Sequence, residues 1–333
     1  MKTTRLQALP KVNTLSLILL ILALLTPSRL GAQNSRSSIK NFQHVFIIMM
    51  ENTSYTSLIG NPNAPFINAA AANYGLATNY FGVTHPSQPN YIAATSGSTN
   101  GVINDNDVTI NVANIVDQLE ANGKSWKAYM QSYSLCTTKF DHACGIQLYE
   151  RKHNPFISYQ DVQSNPARVA NIVDFSQFAT DLASGNVADY TWISPDQCND
   201  MHGRGSTGIP NDPCDFSQVQ GLIAAGDSFL LNTVDAIMNS KVWTGNSVIF
   251  VTWDESDFPF ADTSGCCDAN PGGGHVVMIT ISHSDHAPRT SNVAYNHYSM
   301  VATIEDGWKL GCLAFTCDTA NVPPMSDLVG PKK

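Results

Sequence analysis

Residues 45–52 read VFIIMMEN, and residues 248–255 read VIFVTWDE. Each stretch opens with a continuous apolar run, which is typical of a strand covered on both faces of a parallel sheet. The first run stops at Glu51-Asn52 and the second at Asp254-Glu255. Because ligands bind at the carboxyl ends of strands in open α/β sheets, the two acidic ends predict one shared site.

Three carboxylates and one amide would meet at that edge of the sheet. Such a cluster repels itself unless protons or a cation compensate, and hard oxygen ligands of this kind suit a divalent metal. The expected ligands are Glu51, Asn52, Asp254 and Glu255. They fit Ca, Mg, Mn or Fe, and Zn is less favoured because no histidine clearly joins them. The alternative that a pair only begins a solvated loop stays open for either pair taken alone.

The N-terminal segment predicts a secretory signal peptide over residues 1–32. Lys2 and Arg5 precede an apolar stretch at residues 15–25, and Gly31-Ala32 stand at the expected cleavage point. The apolar stretch is short for a membrane span, but its retention as an anchor stays open. We expect no later stretch to be long and apolar enough to cross a membrane, so the expected location is secreted or periplasmic.

The rest of the chain predicts a disordered lead-in over residues 33–43 and a single domain over residues 44–333. The chain carries 18 Lys and Arg against 27 Asp and Glu, which gives a net charge of -9. This balance argues against a nucleic-acid partner, because phosphate backbones need clustered basic residues. An anionic substrate would need a local cation, which a bound metal would supply.

Eight cysteines in a chain that reads as exported predict structural disulfides. They are Cys136, Cys144, Cys198, Cys214, Cys266, Cys267, Cys312 and Cys317. The close pairs Cys136 with Cys144 and Cys312 with Cys317 are plausible bridges. The adjacent Cys266 and Cys267 are expected to pair with different partners. A zinc site is less favoured because the sequence lacks paired Cys-x-x-Cys spacing.

Apolar periodicity predicts alternating helices and strands. The expected helices cover residues 65–74 with Gly75 as the stop, a segment from the Ser87 turn to Gly97, 114–122, 227–238, and an amphipathic stretch at 297–310. Further strands are expected at 76–83, 125–130, 187–194 and 276–282. This alternation predicts an α/β fold with a mostly parallel central sheet flanked by helices on both faces. The segment 131–175 lacks periodicity and is expected to be irregular and functional.

Ser87 lies between two prolines in a turn at the expected start of a helix. Backbone N–H groups at a helix start favour an oxyanion or phosphate, and a metal or base can activate the hydroxyl as a nucleophile. On pattern alone, a simple N-cap is the favoured explanation for this serine. His85 and Asn90 shift that balance, because an imidazole can position or protonate a ligand and an amide can donate to a phosphoryl oxygen.

Three further candidates lie outside this turn. Asp200 and His202 follow the strand expected at 187–194, and their spacing puts both on one extended face, which suits a shared ligand or a general acid oriented by a carboxylate. His153 is as compatible with a loop histidine bonded to backbone as with a functional one. The remaining histidines singled out as ordinary loop residues are His275, His283, His286 and His297.

Several blocks of the sequence together resemble a known family. They are HVFIIMMEN at 44–52, THPSQPNY at 84–91, KHNP at 152–155, CNDMH at 198–202, TWDE at 252–255, HYS at 297–299 and TIED at 303–306. In this order they resemble the secreted phosphoesterases of bacteria and fungi, which include acid phosphatases and, more distantly, phospholipase C enzymes. This family lies within the alkaline phosphatase superfamily, so the resemblance implies an alkaline phosphatase-like fold.

The resemblance also implies roles for the candidate residues. Ser87 would be the nucleophile that forms a phosphoserine intermediate beside the divalent metal. The residues implied to line the phosphate site are His85, Asn90, His153, Asp200 and His202, with Asn52 on phosphate as well as, or instead of, metal. A histidine would protonate the leaving alcohol, which favours an acidic pH optimum. The implied partner is a small phosphate ester, with a phospholipid or phosphoinositide as a further possibility.

Two features depart from the family pattern. Asp196 stands where an asparagine is more often expected, and this extra carboxylate could bind a second cation or repel phosphate. The segment 256–274 is idiosyncratic, and loops on this edge set substrate choice. The first hypothesis is an exported, metal-dependent acid phosphatase acting on monoesters. The alternatives are a phospholipase C type phosphodiesterase and a non-catalytic secreted binding protein, and the presence of Ser87 and both acidic pairs argues against the latter.

Overall fold

The computed structural model describes Met1, residues 39–285 and residues 287–329. Apart from Met1, the expected signal peptide lies outside the described residues, and so does the expected lead-in up to residue 38. From Ile39 onward the lead-in is packed: Phe42 is buried, and its carbonyl oxygen accepts a hydrogen bond of 2.7 Å from the Trp308 indole. Packing thus includes Ile39 and Phe42, which precede the domain start predicted at residue 44.

The described residues form eleven strands. They are β1 (Val45–Met50), β2 (Gly75–Phe81), β3 (Trp126–Met130), β4 (Ala143–Cys144), β5 (Tyr149–Glu150), β6 (Ile172–Asp174), β7 (Tyr190–Ser194), β8 (Val248–Trp253), β9 (His275–Ser282), β10 (Arg289–Ser291) and β11 (Tyr295–Asn296). Nine of them build one sheet in the order β10-β2-β9-β8-β1-β7-β3-β6, with β11 also paired to β2, while β4 and β5 form a separate hairpin.

The centre of this sheet is parallel, from β8 through β1, β7 and β3 to β6. Among the described strands of this sheet, only β9 runs antiparallel to its neighbours, β8 and β2. β1 and β8 are buried along their whole length, because residues of both sheet faces are apolar and covered. The predicted α/β fold with a mostly parallel sheet is confirmed.

Ten α-helices accompany the sheet in the described residues. They are α1 (Tyr55–Leu58), α2 (Pro65–Asn73), α3 (Ser87–Ser96), α4 (Ile115–Ala121), α5 (Gln160–Gln163), α6 (Pro166–Val169), α7 (Ser176–Ser184), α8 (Val219–Met238), α9 (His297–Trp308) and α10 (Ser326–Val329). Each predicted helix is present. α3 ends as predicted at Gly97, whose φ of 70° is a left-handed conformation that glycine adopts without strain.

Three details of the helices differ from the prediction. Gly75 does not cap α2 but begins β2, where a Cβ would lie 2.1 Å from Thr280 Oγ1, so close packing explains the glycine. α8 begins at Val219 rather than at Asp227, because residues 219–226 continue the apolar helical face. α9 is buried on nearly every side instead of being amphipathic, since it packs against α3 and the chain's C-terminal residues.

α8 is also long and apolar enough, by length and composition alone, to cross a membrane, which the sequence reading did not expect. Its environment identifies it as a packed helix of this domain. Asp227 lies buried in its middle and accepts hydrogen bonds from the backbone of Phe66 and Ile67 at the start of α2. α8 packs against α2 and α7, so half of its apolar window is already covered by protein.

All eight cysteines are paired. The predicted bridges Cys136–Cys144 and Cys312–Cys317 are confirmed, and Cys198 pairs with Cys214. Cys266 and Cys267 are bonded to each other, so the expectation of different partners was wrong. The other six cysteines pair with one another across short loops. Each of these two residues therefore has only its neighbour as a possible partner.

Candidate active site

The carboxyl ends of β1 and β8 lie side by side, as the sequence predicts. Pairing in register continues to the last residue of each strand, so Glu51 and Asp254 follow at the same level. The Asn52 N–H donates to Asp254 Oδ1 at 3.0 Å, and the Glu51 N–H donates to the carbonyl oxygen of Asp200 beyond β7 at 2.9 Å. Three strand ends are thereby tied into one buried acidic centre.

Ser87 points its hydroxyl into this centre from the first position of α3. Its Oγ lies 2.9 Å from Glu51 Oε2, 3.1 Å from Glu255 Oε1 and 3.3 Å from Asn52 Oδ1. A hydroxyl has one hydrogen and can donate it to only one of these three acceptors at a time. The other oxygens then face a lone pair, so the arrangement calls for additional positive charge.

Asn90 fixes the turn that carries Ser87. Its Oδ1 accepts from the N–H groups of Val83 (2.8 Å) and Thr84 (3.1 Å), and its Nδ2 donates to the carbonyl oxygens of Thr84 (2.7 Å) and Pro86 (3.1 Å). From the sequence, this amide was expected to donate a hydrogen bond to a phosphoryl oxygen. The structure corrects that expectation, because both amide hydrogens are already bonded to backbone and the side chain is fully buried.

His85 lies next to the same carboxylate as Ser87. Its Nε2 donates to the carbonyl oxygen of Asp262 at 3.0 Å, and its Nδ1 lies 2.5 Å from Glu255 Oε2. Since a carbonyl oxygen only accepts, Nε2 carries a hydrogen, and the short contact holds a further proton between Nδ1 and the carboxylate. Burial raises the pKa of Glu255 to about 7 against the effect of His85. Burial lowers the pKa of His85, but its hydrogen bonds to Glu255 and Asp262 outweigh this and raise it overall.

His153 approaches the centre from the opposite side, on a short 3-10 turn within the segment 131–175. Its Nε2 lies 3.1 Å from Glu51 Oε1 without the alignment of a hydrogen bond, and its Nδ1 lies 3.6 Å from Asp200 Oδ2. The ring stacks on Tyr91 at 5.3 Å between centroids. Burial acts to raise the pKa of Glu51, but the charges of His153 and nearby basic groups hold it well below its usual range.

Asp200 and His202 meet through the backbone rather than through their side chains. Asp200 Oδ1 accepts from the His202 backbone N–H at 2.8 Å, while His202 Nδ1 lies 2.5 Å from the Gly203 carbonyl oxygen. Of the two roles expected for this pair, a general acid oriented by the Asp200 carboxylate does not match these contacts, because the Gly203 carbonyl oxygen orients the ring. A ligand shared by Asp200 and His202 stays a prediction. Burial lowers the pKa of His202. The ring is half-buried and lines a cleft that opens beside Ser87.

The carboxylates differ in how fully their oxygens are used. Both oxygens of Glu255 are engaged, by Ser87 and by His85. Glu51 Oε1, Asp200 Oδ2 and Asp254 Oδ2 are buried and have no hydrogen-bond partner. Burial, reinforced by the charge of Glu51, raises the pKa of Asp200 and of Asp254 well above the usual range. These three unpartnered oxygens are the atoms that could hold a cation.

One further group of potential ligand atoms lies apart from the four predicted ligands. In the described part of the chain, carboxylate, imidazole or thiol groups gather within 4.8 Å of one another at Cys136, Asp141 and Cys144. The two cysteines of that group are joined in a disulfide, so they cannot act as thiolate ligands. The acidic centre around Ser87 supplies suitable oxygen atoms, and a divalent metal there stays a prediction.

Sequence reasoning missed two contributors to the site. His297, dismissed as a loop residue, is fully buried at the start of α9 and joins Asp254 O (2.6 Å) to the Tyr80 hydroxyl (3.0 Å). Lys152 donates to Asp105 Oδ2 at 3.1 Å, and Asp105 Oδ1 accepts from the N–H of Gln88, the residue after Ser87. Both residues stand inside blocks that carry the family resemblance, which was the available signal.

Asp196 does not reach the centre. Its Oδ2 accepts from Ser132 Oγ at 2.6 Å, and its Oδ1 accepts from the Cys198 N–H and the Asn199 amide. This carboxylate closes the turn that follows β7. Its contacts therefore indicate a structural role, and not the second cation site or the phosphate repulsion suggested from the sequence.

The chain is similar in sequence to known phosphatases. A family model described as the Phosphoesterase family matches residues 61–311. A phosphatidylinositol-3-phosphatase of Mycobacterium tuberculosis is 29% identical over 300 residues, covering 88% of this chain and 85% of that protein. An acid phosphatase of Aspergillus fumigatus is 26% identical over 82% of this chain, which spans only 56% of that longer protein.

Solved structures agree on the fold. An alkaline phosphatase superfamily protein from Vibrio parahaemolyticus has a TM-score of 0.53 at 13% identity, covering 84% of this chain and 69% of its own. The phosphonate monoester hydrolase of Agrobacterium radiobacter has a TM-score of 0.55 at 13% identity, covering 87% of this chain and 78% of its own. At these identities the likeness establishes the fold and not the activity.

Proposed function

This chain belongs to the Phosphoesterase family. From that premise we propose that it is an exported, metal-dependent acid phosphatase, which hydrolyses phosphate monoesters through a phosphoserine at Ser87. Hydrolysis of phosphoric esters follows from the family and its phosphatase relatives. The observation that carries the finer proposal is the Ser87 hydroxyl at a helix start, within 3.3 Å of three side-chain oxygens of the acidic centre.

The carboxylates around Ser87 support nucleophilic catalysis. Glu51 and Glu255 each lie within hydrogen-bond reach of the hydroxyl, so either can receive its proton as the oxygen attacks phosphorus. The ester's alcohol departs, and water then hydrolyses the phosphoserine to return free enzyme and phosphate. The N–H groups at the start of α3 favour the negative charge that develops on the phosphoryl oxygens.

The residues present fit a divalent cation. Glu51 and Asp254 each offer a buried oxygen without a hydrogen-bond partner, and Asn52 Oδ1 lies 3.3 Å from Ser87 Oγ. Such a set of carboxylate and amide oxygens suits Ca, Mg, Mn or Fe better than Zn. A cation held there would neutralise charge on the phosphoryl and serine oxygens. Because both of its oxygens are engaged, Glu255 is better suited to pair with His85 than to bind metal.

A histidine is the proposed acid for the leaving alcohol. His202 stands at the mouth of the neighbouring cleft, and its Nδ1 is occupied by the Gly203 carbonyl oxygen, so Nε2 is the nitrogen available for proton transfer. His153 remains on the Glu51 side, with its Nε2 3.1 Å from Glu51 Oε1. A leaving-group acid that must be protonated gives an acidic pH optimum.

Export and substrate range belong to the same proposal. Four disulfides suit an oxidising compartment outside the cytoplasm, in keeping with the signal peptide expected over residues 1–32. N-terminal sequencing of mature protein would then begin at Gln33, and an intact N-terminus would contradict cleavage. The name of the Mycobacterium tuberculosis relative adds phosphoinositides to the candidate substrates.

A phospholipase C type phosphodiesterase is the second candidate, and one observation favours it. A cleft of about 1010 Å³ adjoins Asn52 and His202, which leaves room for the second alcohol of a diester. The two activities differ in whether the phosphoryl group carries one ester bond or two.

Release of p-nitrophenol tests both candidates. Wild-type protein is assayed with p-nitrophenyl phosphate and with p-nitrophenylphosphocholine between acidic and neutral pH, with and without chelator, alongside metal analysis. The proposal expects preference for the monoester, metal loss with chelator, and inactivity in Ser87→Ala but not in Ser228→Ala, an exposed serine on α8. Preference for phosphocholine would favour the diesterase, and unchanged activity in Ser87→Ala would refute the nucleophile.

A further inference from the structure

A large apolar cleft opens directly beside the acidic centre. It has a volume of about 1010 Å³, against roughly 300–1000 Å³ for ordinary small-molecule sites, so it exceeds what a phosphoryl group needs. Its walls come from α1 and the residues after it, the start of α8, and the loop after β8. The apolar residues that shape it are Ile59, Phe216, Val219, Ile223, Phe258 and Phe260.

Three of these apolar side chains are unusually exposed to solvent for their size. Phe258 is 76% exposed, Phe216 is 56% exposed and Val219 is 54% exposed. They stand on two separate segments that both line the cleft. Exposed apolar surface grouped around a concavity marks a binding site more often than scattered surface residues do.

The cleft is continuous with the candidate catalytic residues. Asn52, whose Oδ1 lies 3.3 Å from Ser87 Oγ, is part of its lining, and so is His202. At the other end of the wall, the Phe260 ring lies 4.6 Å from the His85 ring. A phosphate ester with its phosphorus at Ser87 would therefore extend its alcohol portion into this cleft.

Two of the polar side chains in the cleft already have hydrogen-bond partners. Asp257 accepts from the Ser54 N–H at 2.9 Å and from Ser57 Oγ at 2.7 Å, so both carboxylate oxygens are used. Gln220 Oε1 accepts from the amides of Asn61 and Asn63. No lysine or arginine belongs to its described lining. The cleft thus offers little to a sugar or to a second anionic group.

A second, polar cleft lies on the other side of His202 but is a weaker candidate. Its volume is about 280 Å³. Its cations are held by carboxylates: Lys152 by Asp105 at 3.1 Å and Arg204 by Asp212 at 3.0 Å. Binding an anionic alcohol there would require breaking these pairs.

We propose that the apolar cleft binds the alcohol portion of the substrate and that this alcohol carries an apolar chain or ring. The proposal rests on the proposed phosphatase function and specifies its substrate class. Phe258 and Phe216 are then specificity-determining residues, because they cover the alcohol while the acidic centre holds the phosphoryl group.

A series of n-alkyl phosphates tests this directly, because ethyl, butyl and octyl phosphate differ in chain length but scarcely in leaving-group chemistry. Each methylene that the cleft buries fully raises kcat/KM roughly fourfold, and partial burial gives less. We expect octyl phosphate to exceed ethyl phosphate by at least about tenfold. Phe258→Ser and Phe216→Ser should each reduce this octyl-to-ethyl ratio, a readout that does not depend on the folded fraction.

Leu231→Ser is the matched control, since Leu231 is exposed on α8 but lies outside the cleft, and it should keep the wild-type ratio. Phosphatidic acid in phosphatidylcholine vesicles shows whether the apolar alcohol belongs to a membrane lipid or to a soluble ester. Cleavage faster than that of octyl phosphate identifies a lipid substrate, and slower cleavage identifies a soluble ester. Equal kcat/KM for ethyl and octyl phosphate, with p-nitrophenyl phosphate still hydrolysed, would overturn the inference alone. Failure to hydrolyse any of these monoesters would instead overturn the proposed function.

Discussion

Replacing Asn90 with alanine separates the role that the structure gives this residue from the role expected from the sequence. The substitution removes one acceptor and two donors from the turn before Ser87. The N–H groups of Val83 and Thr84 lose their acceptor, and the carbonyl oxygens of Thr84 and Pro86 lose a donor. Because Asn90 is fully buried, water cannot readily replace these contacts.

The expected cost follows from those four hydrogen bonds. Each buried group left unsatisfied costs about 1–3 kcal/mol, and carbonyl oxygens tolerate this better than N–H groups do. Counting mainly the two N–H groups gives a loss of about 2–6 kcal/mol in the free energy of unfolding. A displacement of Ser87 by about 1 Å would also lower kcat roughly a hundredfold, with a smaller change in KM.

Urea unfolding and steady-state kinetics on the folded fraction measure both effects. Asn73→Ala is the control, because Asn73 is exposed on α2 and makes one hydrogen bond to Ala69; its unfolding free energy should change by less than about 0.5 kcal/mol. Unchanged stability together with a large rise in KM would show that Asn90 binds the phosphoryl group after all.

Three further predictions concern other parts of the fold. Gly82→Ala should lower kcat and stability together, because its Cβ would lie 2.7 Å from the Asp254 carbonyl oxygen; an active variant as stable as wild type would contradict this packing. Burial raises the pKa of Glu305 to about 7 from 4.5, so the folded state favours the protonated form. The stability of wild type relative to Glu305→Gln should then fall by about 3 kcal/mol as pH rises from 4.5 to 7, and a flat difference in urea unfolding would refute it. Asp196→Asn should keep metal content and activity within about twofold, because this carboxylate only closes a turn; loss of metal on analysis would instead support a second cation site.

The sequence predicts the backbone of this site better than its side-chain contacts. The apolar runs of β1 and β8 place Glu51 and Asp254 correctly, because a continuous buried strand has few alternatives and its end is marked by the first charge. The glycine at position 97 likewise marks the end of α3. These features depend on local sequence and on the burial of apolar surface, both of which can be read from the chain.

Side-chain direction depends on three-dimensional packing and could not be read in the same way. The sequence places Asn90 near Ser87, but only the fold shows that its amide turns back to residues 83–86. His297 was missed because its partner Asp254 lies far away in the chain. The pairing of Cys266 with Cys267 also depended on where the other six cysteines lie.

The central claim is that Ser87 accepts the phosphoryl group, and mass spectrometry of acid-quenched enzyme tests it most directly. Wild-type protein is mixed with p-nitrophenyl phosphate, quenched in acid during the first turnovers, digested and analysed for phosphorylated peptides. The account predicts one phosphoryl group on Ser87 and none in Ser87→Ala. Turnover without any phosphoryl group on Ser87 would contradict it.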